Sequence, residues 1–421
     1  MFCNGLFSPN QGNGGFEIGA YDLKAIHPTN ANWDRKSRFK GPESPLKKWS
    51  VIIEGLHHSS MVIGQQGEIF LGGDQGIFYK ARPNGEVTHL FQIKNKSLRS
   101  PVIGADGTIY IGTTGYYESQ GHKLLAINQD GSLKWEYETG DLTNFQPVLD
   151  SNGMVYVTAD ETKLHAIHPD GSLKWVFKKT FEFWSVPIIS NIGQIYIGAG
   201  DENLYALNYK GEELWSVNIG HGASQYSPVV DANGLVFLHA YSYQENRAKL
   251  LAVNPGGSIK WQFTPETGDI FTSPALNHNM LYTVASHFRL MAIDIFGKLQ
   301  WETKIEGSPF EPPIIGRDGT IYVGTADEIK DQSVSWIYAI SPNGTKKWVY
   351  KNWYGELAHM AIGGEGILYL LLNNSNNDQC QIIALGENEK DDNVRADMIE
   401  QNSKSYLAGG TSWPSLAELL K

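Results

Sequence analysis

The sequence predicts an all-β protein, an eight-bladed β-propeller built from four-stranded antiparallel blades. The first observation is composition: 421 residues contain 45 glycines and 12% aromatic side chains, with many Asn-Gly and Asp-Gly pairs. Such pairs supply the positive φ angles of tight hairpin turns. The second observation is a repeat of about 43 residues, a period typical of arrays of identical supersecondary units.

Each repeat has the same internal order. The segments ADGTIYIG, SNGMVYVT, NIGQIYIG, ANGLVFLH and RDGTIYVG recur, and each precedes a run such as LHAIHPDGSLKW. Six of these runs close on a tryptophan, at spacings of 40, 40, 46, 40 and 47 residues: Trp135, Trp175, Trp215, Trp261, Trp301 and Trp348. An innermost strand is predicted after each of Pro101, Pro147, Pro187, Pro228, Pro274 and Pro313. Proline suits a strand start, where no ladder N–H is lost.

Eight units begin near residues 58, 99, 144, 185, 226, 272, 310 and 359. The first carries His89 where the tryptophan is expected, and the last has no tryptophan strand. A tryptophan strand without a blade surrounds Trp49, so residues 46–53 are predicted to complete the sheet of residues 359–385 and close the ring. The predicted organisation is an N-terminal arm (1–45), the propeller (46–385) and a C-terminal extension (386–421).

Charge and hydrophobicity exclude several classes of function. The net charge of −11 and the lack of a basic run argue against nucleic-acid binding. No window reaches 18 apolar residues, so membrane insertion is not expected. The N-terminus has no signal-peptide pattern, which predicts a cytoplasmic protein as written, or a periplasmic or secreted one if a signal has been removed. Cys3 and Cys380 are too few for a disulfide framework or a cysteine metal site.

The Ser-Pro, DGTIYVG and DGSLKW elements resemble those of the PQQ-like repeat family over residues 46–385. The lead-in Asn32-Trp33-Asp34-Arg35, followed by Gly41-Pro42, is also similar to that family. The resemblance implies that the tryptophans pack between neighbouring blades. It also implies a binding role, since family members of this size include outer-membrane-assembly scaffolds and secreted recognition proteins. Quinoprotein dehydrogenases of the family are longer and carry a calcium site and a vicinal cysteine pair, neither of which is found here. We therefore expect neither cofactor nor metal, and disfavour a PQQ-dependent dehydrogenase.

Candidate site residues fall in the loops that lead into the innermost strands. Aromatic side chains recur there and are predicted to line a central pocket, unless they simply fill the channel: Phe145, Trp184, Tyr226, Phe271, Phe310 and Tyr354. Four polar residues are candidates for acid–base or anchoring groups: His58, Arg99, Glu311 and His359.

Insertions between the second and third strands are predicted to lie on the same face as these loops. They supply candidate recognition residues for a polar partner or a glycan, although solvent-exposed decoration explains them about as well: Tyr116, Tyr117, His239, Tyr241 and Arg247. His287, which lies outside these insertions, is a further candidate on or near the same face. A recurring aspartate series (Asp74, Asp160, Asp201 and Asp327) is interpreted as turn capping.

Two functions remain open from the sequence. The leading hypothesis is a non-catalytic scaffold that recognises a protein, peptide or glycan on the face where the innermost strands begin. The alternative is an enzyme that acts on a small molecule in an aromatic-lined central pocket, with His58, Arg99, Glu311 and His359 as its polar groups. Convergence of those four residues around an open cavity would favour the enzyme.

Overall fold

A computed structural model describes residues 35–57, 59–115, 121–140, 146–183, 185–220, 227–242, 245–270, 272–309, 311–329 and 332–387. The predicted arm as far as residue 34 and the predicted extension beyond residue 387 lie outside the described residues. Within the described ranges the chain forms eight antiparallel sheets arranged as a ring of blades, which confirms the predicted fold class. No helix in these ranges is long and apolar enough to cross a membrane.

Blades I to IV follow one another along the chain after the first strand, β1 (Leu46–Glu54). Blade I contains β2 (Met61–Ile63), β3 (Ile69–Gly72), β4 (Ile77–Ala81) and β5 (Val87–Gln92). Blade II contains β6 (Ser97–Leu98), β7 (Val102–Ile103), β8 (Ile109–Thr114), β9 (His122–Ile127) and β10 (Leu133–Gly140). Blade III contains β11 (Val148–Leu149), β12 (Val155–Ala159), β13 (Lys163–Ile167) and β14 (Leu173–Lys178). Blade IV contains β15 (Ile188–Ile189), β16 (Ile195–Gly198), β17 (Asn203–Leu207) and β18 (Glu213–Asn218).

Blades V to VIII complete the ring. Blade V contains β19 (Val229–Val230), β20 (Val236–Ser242), β21 (Arg247–Val253) and β22 (Ile259–Phe263). Blade VI contains β23 (Ala275–Asn277), β24 (Met280–Ala285), β25 (Arg289–Asp294) and β26 (Leu299–Lys304). Blade VII contains β27 (Ser308–Pro309), β28 (Ile314–Ile315), β29 (Ile321–Ile329), β30 (Gln332–Ile340) and β31 (Lys346–Asn352). Blade VIII contains β32 (Glu356–Ile362), a 3₁₀ turn (Gly364–Gly366), β33 (Leu368–Asn374), β34 (Gln379–Gly386) and, from the other end of the chain, β1.

The ring closes because a strand near the beginning of the described chain pairs with the last strand of blade VIII. Strand β1 runs antiparallel to β34, with Trp49 opposite Ala384 and Glu54 opposite Gln379. This pairing confirms the predicted closure by the Trp49 strand. Because β1 covers the open edge of β34, the last blade has the same four-stranded core as the others.

Prolines mark the beginnings of the innermost strands as the sequence predicts. In blades II to VII each of the six prolines immediately precedes the strand that lines the channel. The second and third strands of the blades are almost completely buried, because side chains on both of their faces pack between neighbouring sheets. The hydrophobic core is therefore a series of layers between blades.

Tryptophans of the outer strands join neighbouring blades by one repeated contact. The Trp175 indole covers Gly211 of the next blade, where a Cβ atom would stand 2.6 Å from Cδ2, and its Nε1 donates to the Tyr209 carbonyl at 3.0 Å. Gly211 adopts a φ of +81°, which glycine reaches without a steric cost. The same donation to a carbonyl of the following turn is made by Trp49, Trp135, Trp215, Trp261 and Trp301. These indoles are interface groups.

The outer strand of blade I makes no such contact with blade II. In other blades the outer strand has a bulge next to the tryptophan, whereas in β5 the register shifts between Phe78 and Tyr79. His89 consequently lies opposite Tyr79, and the side chain that meets Gly131 of blade II is Leu90. The sequence position of the missing tryptophan is His89, but its spatial place is taken by the neighbouring leucine.

Candidate functional site

The face that contains the loops into the innermost strands, here called the upper face, is held together by backbone hydrogen bonds. Gly200, in the loop between the second and third strands of blade IV, donates to Glu182 in the loop that leads into the same blade, at 2.8 Å. The matching contact in blade VI joins Ser286 to Asp269 at 2.7 Å. The two sets of loops therefore form one rim, as expected for a propeller.

Two of the insertions on this rim are hairpin extensions of the blades. Strands β20 and β21 remain paired out to Ser242 and Arg247, and β29 and β30 remain paired out to Ile329 and Gln332. Asp327 therefore lies in a paired strand, so the turn-capping interpretation is wrong at this position. Asp201 does cap its turn, since its Oδ1 accepts from the Asn203 amide at 3.2 Å.

Many of the predicted pocket and recognition residues lie outside the described residues, and their roles stay predictions. They are His58, Tyr116, Tyr117, Phe145, Trp184, Tyr226, Phe271 and Phe310.

Glu311 and His359 are brought together at the junction of blades VII, VIII and I. The His359 Nε2 atom lies 3.8 Å from Glu311 Oε1, and the exposed fractions of the two residues are only 1% and 4%. Each also accepts from a backbone amide: Met61 N donates to His359 Nδ1 at 3.3 Å, and Met360 N donates to Glu311 Oε2 at 3.2 Å. The pair thus ties three innermost strands together.

Arg99 of blade II lies at the position that is equivalent to Glu311 of blade VII. Its backbone amide donates to the Gly112 carbonyl at 2.9 Å. The next residue, Ser100, connects blades I and II, because its Oγ accepts from the backbone amide and the hydroxyl of Ser60 at 2.8 and 3.0 Å. His57 lies just before Ser60 in the chain. It is fully buried, with Nδ1 2.9 Å from the Gly72 carbonyl oxygen. This histidine anchors the chain between β1 and blade I.

Tyr354 is a half-buried member of the predicted pocket lining. Its ring packs against the hydrophobic core between blades VII and VIII, and its carbonyl accepts from Asn374 Nδ2 at 3.0 Å. Burial raises the pKa of its hydroxyl. The side chain stabilises the junction of these two blades.

The candidate recognition residues of blade V hold the loop between blades V and VI. His239 is buried, with Nε2 2.9 Å from the Ile270 carbonyl oxygen, and burial lowers the pKa of this histidine to about 4. Arg247 donates to the carbonyls of Gly268, at 3.1 Å, and Pro265. Arg289, which the sequence analysis did not single out, donates to the Thr267 carbonyl of the same loop at 2.7 Å.

The other two candidates in this region are more exposed. The Tyr241 hydroxyl donates to Asn246 Oδ1 within its own hairpin. His287 is exposed in the turn between β24 and β25, with a φ of +60°. Their part in recognition stays a prediction.

An exposed aromatic group stands beside blade VII on the upper face. Trp353 follows β31 and is 50% exposed, and the Lys351 ammonium lies 4.2 Å from its ring centroid. The same ammonium lies 5.2 Å from the ring of Trp336, which is buried beneath it. The two indoles and the lysine form a layered group that presents an aromatic face to solvent. Trp353 lies outside the regular positions of the closing tryptophans, and this irregularity is the feature of the sequence that could have marked it as a site residue.

The channel itself contains a short piece of the chain that the sequence analysis missed as a site feature. Residues 35–37 pair in parallel with Ile315 of β28: Ser37 N donates to the Ile315 carbonyl at 2.7 Å, and Ile315 N donates to the Arg35 carbonyl at 3.2 Å. Because the other edge of β28 pairs with β29, this segment lies on the channel side. Arg35 belongs to the segment 32–35 that is similar to the PQQ-like repeat family, and this similarity was the sequence signal that could have indicated a site there.

Metal-ligating side chains do not cluster in the described part of the chain. No group of three or more histidine, cysteine, aspartate or glutamate side chains there could hold a metal ion. Cys380 is buried in β34, and burial raises the pKa of its thiol, which keeps it in the unreactive protonated form.

The geometry defines the protein as an eight-bladed propeller in which six of the eight blade junctions contain a tryptophan–glycine contact among the described residues. A family model described as outer membrane protein assembly factor BamB matches residues 142–350. This match spans just under half of the chain, and together with the repeat pattern it supports a PQQ-like repeat β-propeller.

Comparisons with individual proteins extend the match. A 104-residue segment, 24% of this chain, is 33% identical to the uncharacterized protein YxaL of Bacillus subtilis (strain 168), and the alignment spans only 25% of that relative. Among solved structures, BamB from Moraxella catarrhalis is similar over 81% of this chain and 99% of its own, with a TM-score of 0.58 and 16% identity. The C-terminal WD40 domain of Sif2 is similar over 83% of this chain and 100% of its own, with a TM-score of 0.59 and 10% identity. At these identities the structural likeness establishes the fold alone.

Proposed function

We propose that this protein is a non-catalytic scaffold that binds a protein partner through its upper face, around Trp353. The observation that carries the proposal is the half-exposed Trp353 indole, supported from below by Lys351 and Trp336. Tryptophan is enriched among the residues that dominate binding energy at protein interfaces. A large ring held in one orientation loses little conformational entropy when a partner covers it.

Two further observations support binding over turnover. In blades IV and VI, described loops of the upper face are joined by backbone hydrogen bonds, Gly200 to Glu182 and Ser286 to Asp269, which favours a preformed binding surface. The matching family is described as an assembly factor, which favours a protein partner over a glycan or a small molecule.

The buried pair of Glu311 and His359 is the observation that favours the enzyme alternative, since a carboxylate beside an imidazole can exchange protons with a substrate. Both groups, however, accept from the backbone amides of Met61 and Met360. A role in holding the innermost strands together accounts for these contacts, so we rank binding first.

Site-specific photo-crosslinking tests the proposal. p-Benzoylphenylalanine placed at position 353 should give a discrete protein adduct in cells that naturally contain this protein, and mass spectrometry would identify the partner. The matched control is the same probe at position 296, because Phe296 is 71% exposed in a turn on the opposite face. Once the partner is identified, Trp353→Ala should weaken its affinity for this protein by about 30-fold, since a binding hot spot contributes about 2 kcal/mol or more. Identical adducts at both positions, or none at position 353, would contradict the proposal.

A further inference from the structure

The guanidinium of Arg35 is enclosed by the channel wall. Its Nη1 donates to the Pro274 carbonyl at 2.5 Å and its Nη2 to the Ser227 carbonyl at 3.1 Å, and the residue is only 1% exposed. The two acceptors belong to the loops that lead into blades VI and V. A single side chain therefore connects two blades that are distant in sequence from it.

The backbone around Arg35 is bound as an extended segment. Residues 35–37 add to the free edge of β28, the Lys36 ammonium donates to Asn277 Oδ1 at 2.8 Å, and the Ser37 hydroxyl donates to the Ile362 carbonyl at 3.3 Å. These contacts reach blades VI, VII and VIII. This mode of binding combines backbone pairing with side-chain selection, as in strand addition to a sheet edge.

The electrostatic surroundings suit a cation. Burial lowers the pKa of Arg35 to about 9, while the negative charge of Glu311 opposes that shift, so the guanidinium remains charged at neutral pH. Glu311 is itself only 4% exposed. Removing the cation would leave the buried Glu311 carboxylate without this compensating charge, which destabilises the folded state.

Arg35 also adopts an unfavourable backbone conformation. Its φ is +59°, in the left-handed region where a side chain with a Cβ atom is disfavoured by about 1 kcal/mol or more. Glycine at this position would relieve that strain. The contacts of the guanidinium provide a physical reason for an arginine to occupy it.

We propose that the channel wall of blades V to VII is a binding site for a guanidinium group carried by an extended chain segment, and that Arg35 fills this site from within the same molecule. Guanidinium fits because its planar nitrogens direct separate N–H groups towards two acceptors, whereas the lysine ammonium is a compact point charge. This site goes beyond the proposed partner binding at Trp353 and does not depend on it.

Chemical rescue tests the site in the full-length chain. Arg35→Gly removes the equivalent of one n-propylguanidine molecule and tolerates the positive φ, so the Tm should fall by several degrees because the side-chain contacts are lost. Adding n-propylguanidine at millimolar concentration should raise the Tm of the variant, because a ligand that binds only the folded state stabilises it. n-Propylamine should not reproduce the effect, since it lacks the planar fork.

Arg38→Gly is the matched control, because Arg38 belongs to the same segment but is exposed. Its Tm should change little and should not respond to n-propylguanidine. Three results would each overturn the proposal: an unchanged Tm for Arg35→Gly, an equal response of wild type and variant to n-propylguanidine, or an equal rescue by n-propylamine. Loss of the crosslink at position 353 would bear only on the partner-binding proposal.

Discussion

The interface between blades III and IV and the interface between blades I and II differ in one contact. At the first, the Trp175 indole lies against Gly211 and donates to the Tyr209 carbonyl. At the second, the Leu90 side chain lies against Gly131, and His89 packs on Tyr79 of its own blade with ring centroids 5.6 Å apart. The same fold thus tolerates one junction without the indole and its hydrogen bond.

The difference shows what the tryptophan supplies. An indole covers a glycine closely, donates to a carbonyl of the next blade and packs on its own blade, as Trp175 does on Tyr156 at 5.8 Å. Leucine supplies only apolar contact. The junction of blades I and II should therefore open more easily than the tryptophan junctions.

Truncation of the two interface side chains should give the largest difference. Trp175→Ala removes an indole, its hydrogen bond and its contact with Gly211, and should lower the free energy of unfolding by about 3 kcal/mol. Leu90→Ala should cost about 1 kcal/mol, because this half-buried side chain has no polar contact to lose. Urea denaturation of both variants measures the difference, and equal losses would show that the two junctions are equivalent.

A methyl group on the glycine side should have the next largest effect. Gly211→Ala should destabilise the fold by about 2 to 3 kcal/mol, because it combines backbone strain with overlap of the Trp175 ring. Gly193→Ala is the matched control: its φ of +80° is nearly the same, but no atom lies within 4 Å of the added Cβ. The control should cost about 1 kcal/mol. If thermal unfolding showed equal costs, the indole contact would contribute no steric constraint.

Acid should weaken the junctions that bury a neutral histidine. Burial, with the nearby positive charge of Lys163, lowers the pKa of His165 in blade III to about 4, and Tyr137 Oη lies 2.8 Å from its Nδ1. The ordinary pKa is about 6.5, so the unfolded chain takes up a proton first and stability falls as the pH drops from about 6.5 towards 4.

The change to pH 5 should cost about 1 to 2 kcal/mol at this site. His165→Phe removes the titrating group and keeps a ring beside Tyr137, so urea denaturation of the variant should depend less on pH. The pH dependence of urea denaturation in a His89→Phe variant provides the comparison at the junction of blades I and II, which has no tryptophan. A wild type and a His165→Phe variant with the same pH profile would exclude this histidine as a source of acid sensitivity.

Local opening should show the smallest effect. The backbone amides of β5 should exchange with deuterium faster than those of β14, because β5 has no indole that connects it to the next blade. Hydrogen-exchange mass spectrometry at neutral pH measures both strands in one experiment. Slower exchange in β5 would reverse the order of stability proposed for the two junctions.

Much of the architecture could be predicted because it is encoded locally and repeatedly. The prolines before the innermost strands, the turn glycines and the closing tryptophans each specify one step of a blade, and eight copies reinforce one another. The orphan strand at Trp49 predicted the closure for the same reason, since it matched a strand missing from blade VIII. The bulge shift in β5 was not predictable, because the packing of Phe78 and Leu90 against neighbouring blades determines which residue takes the extra position.

The candidate site was less predictable. The sequence indicated that Glu311 and His359 belong to the channel region, and the structure brings them together. It did not indicate that Arg35 enters the channel or that Arg247 and Arg289 hold the same loop. These contacts join residues that no repeat relates.

The sequence by itself determined the blade pattern, the number of blades and the way the ring closes, because each depends on short-range periodicity that hydrophobic burial enforces. Only the tertiary structure decided where individual polar side chains go. Arg35 illustrates the reason: its acceptors, Ser227 and Pro274, lie more than 190 positions away in the chain, and only closure of the ring brings them to one point.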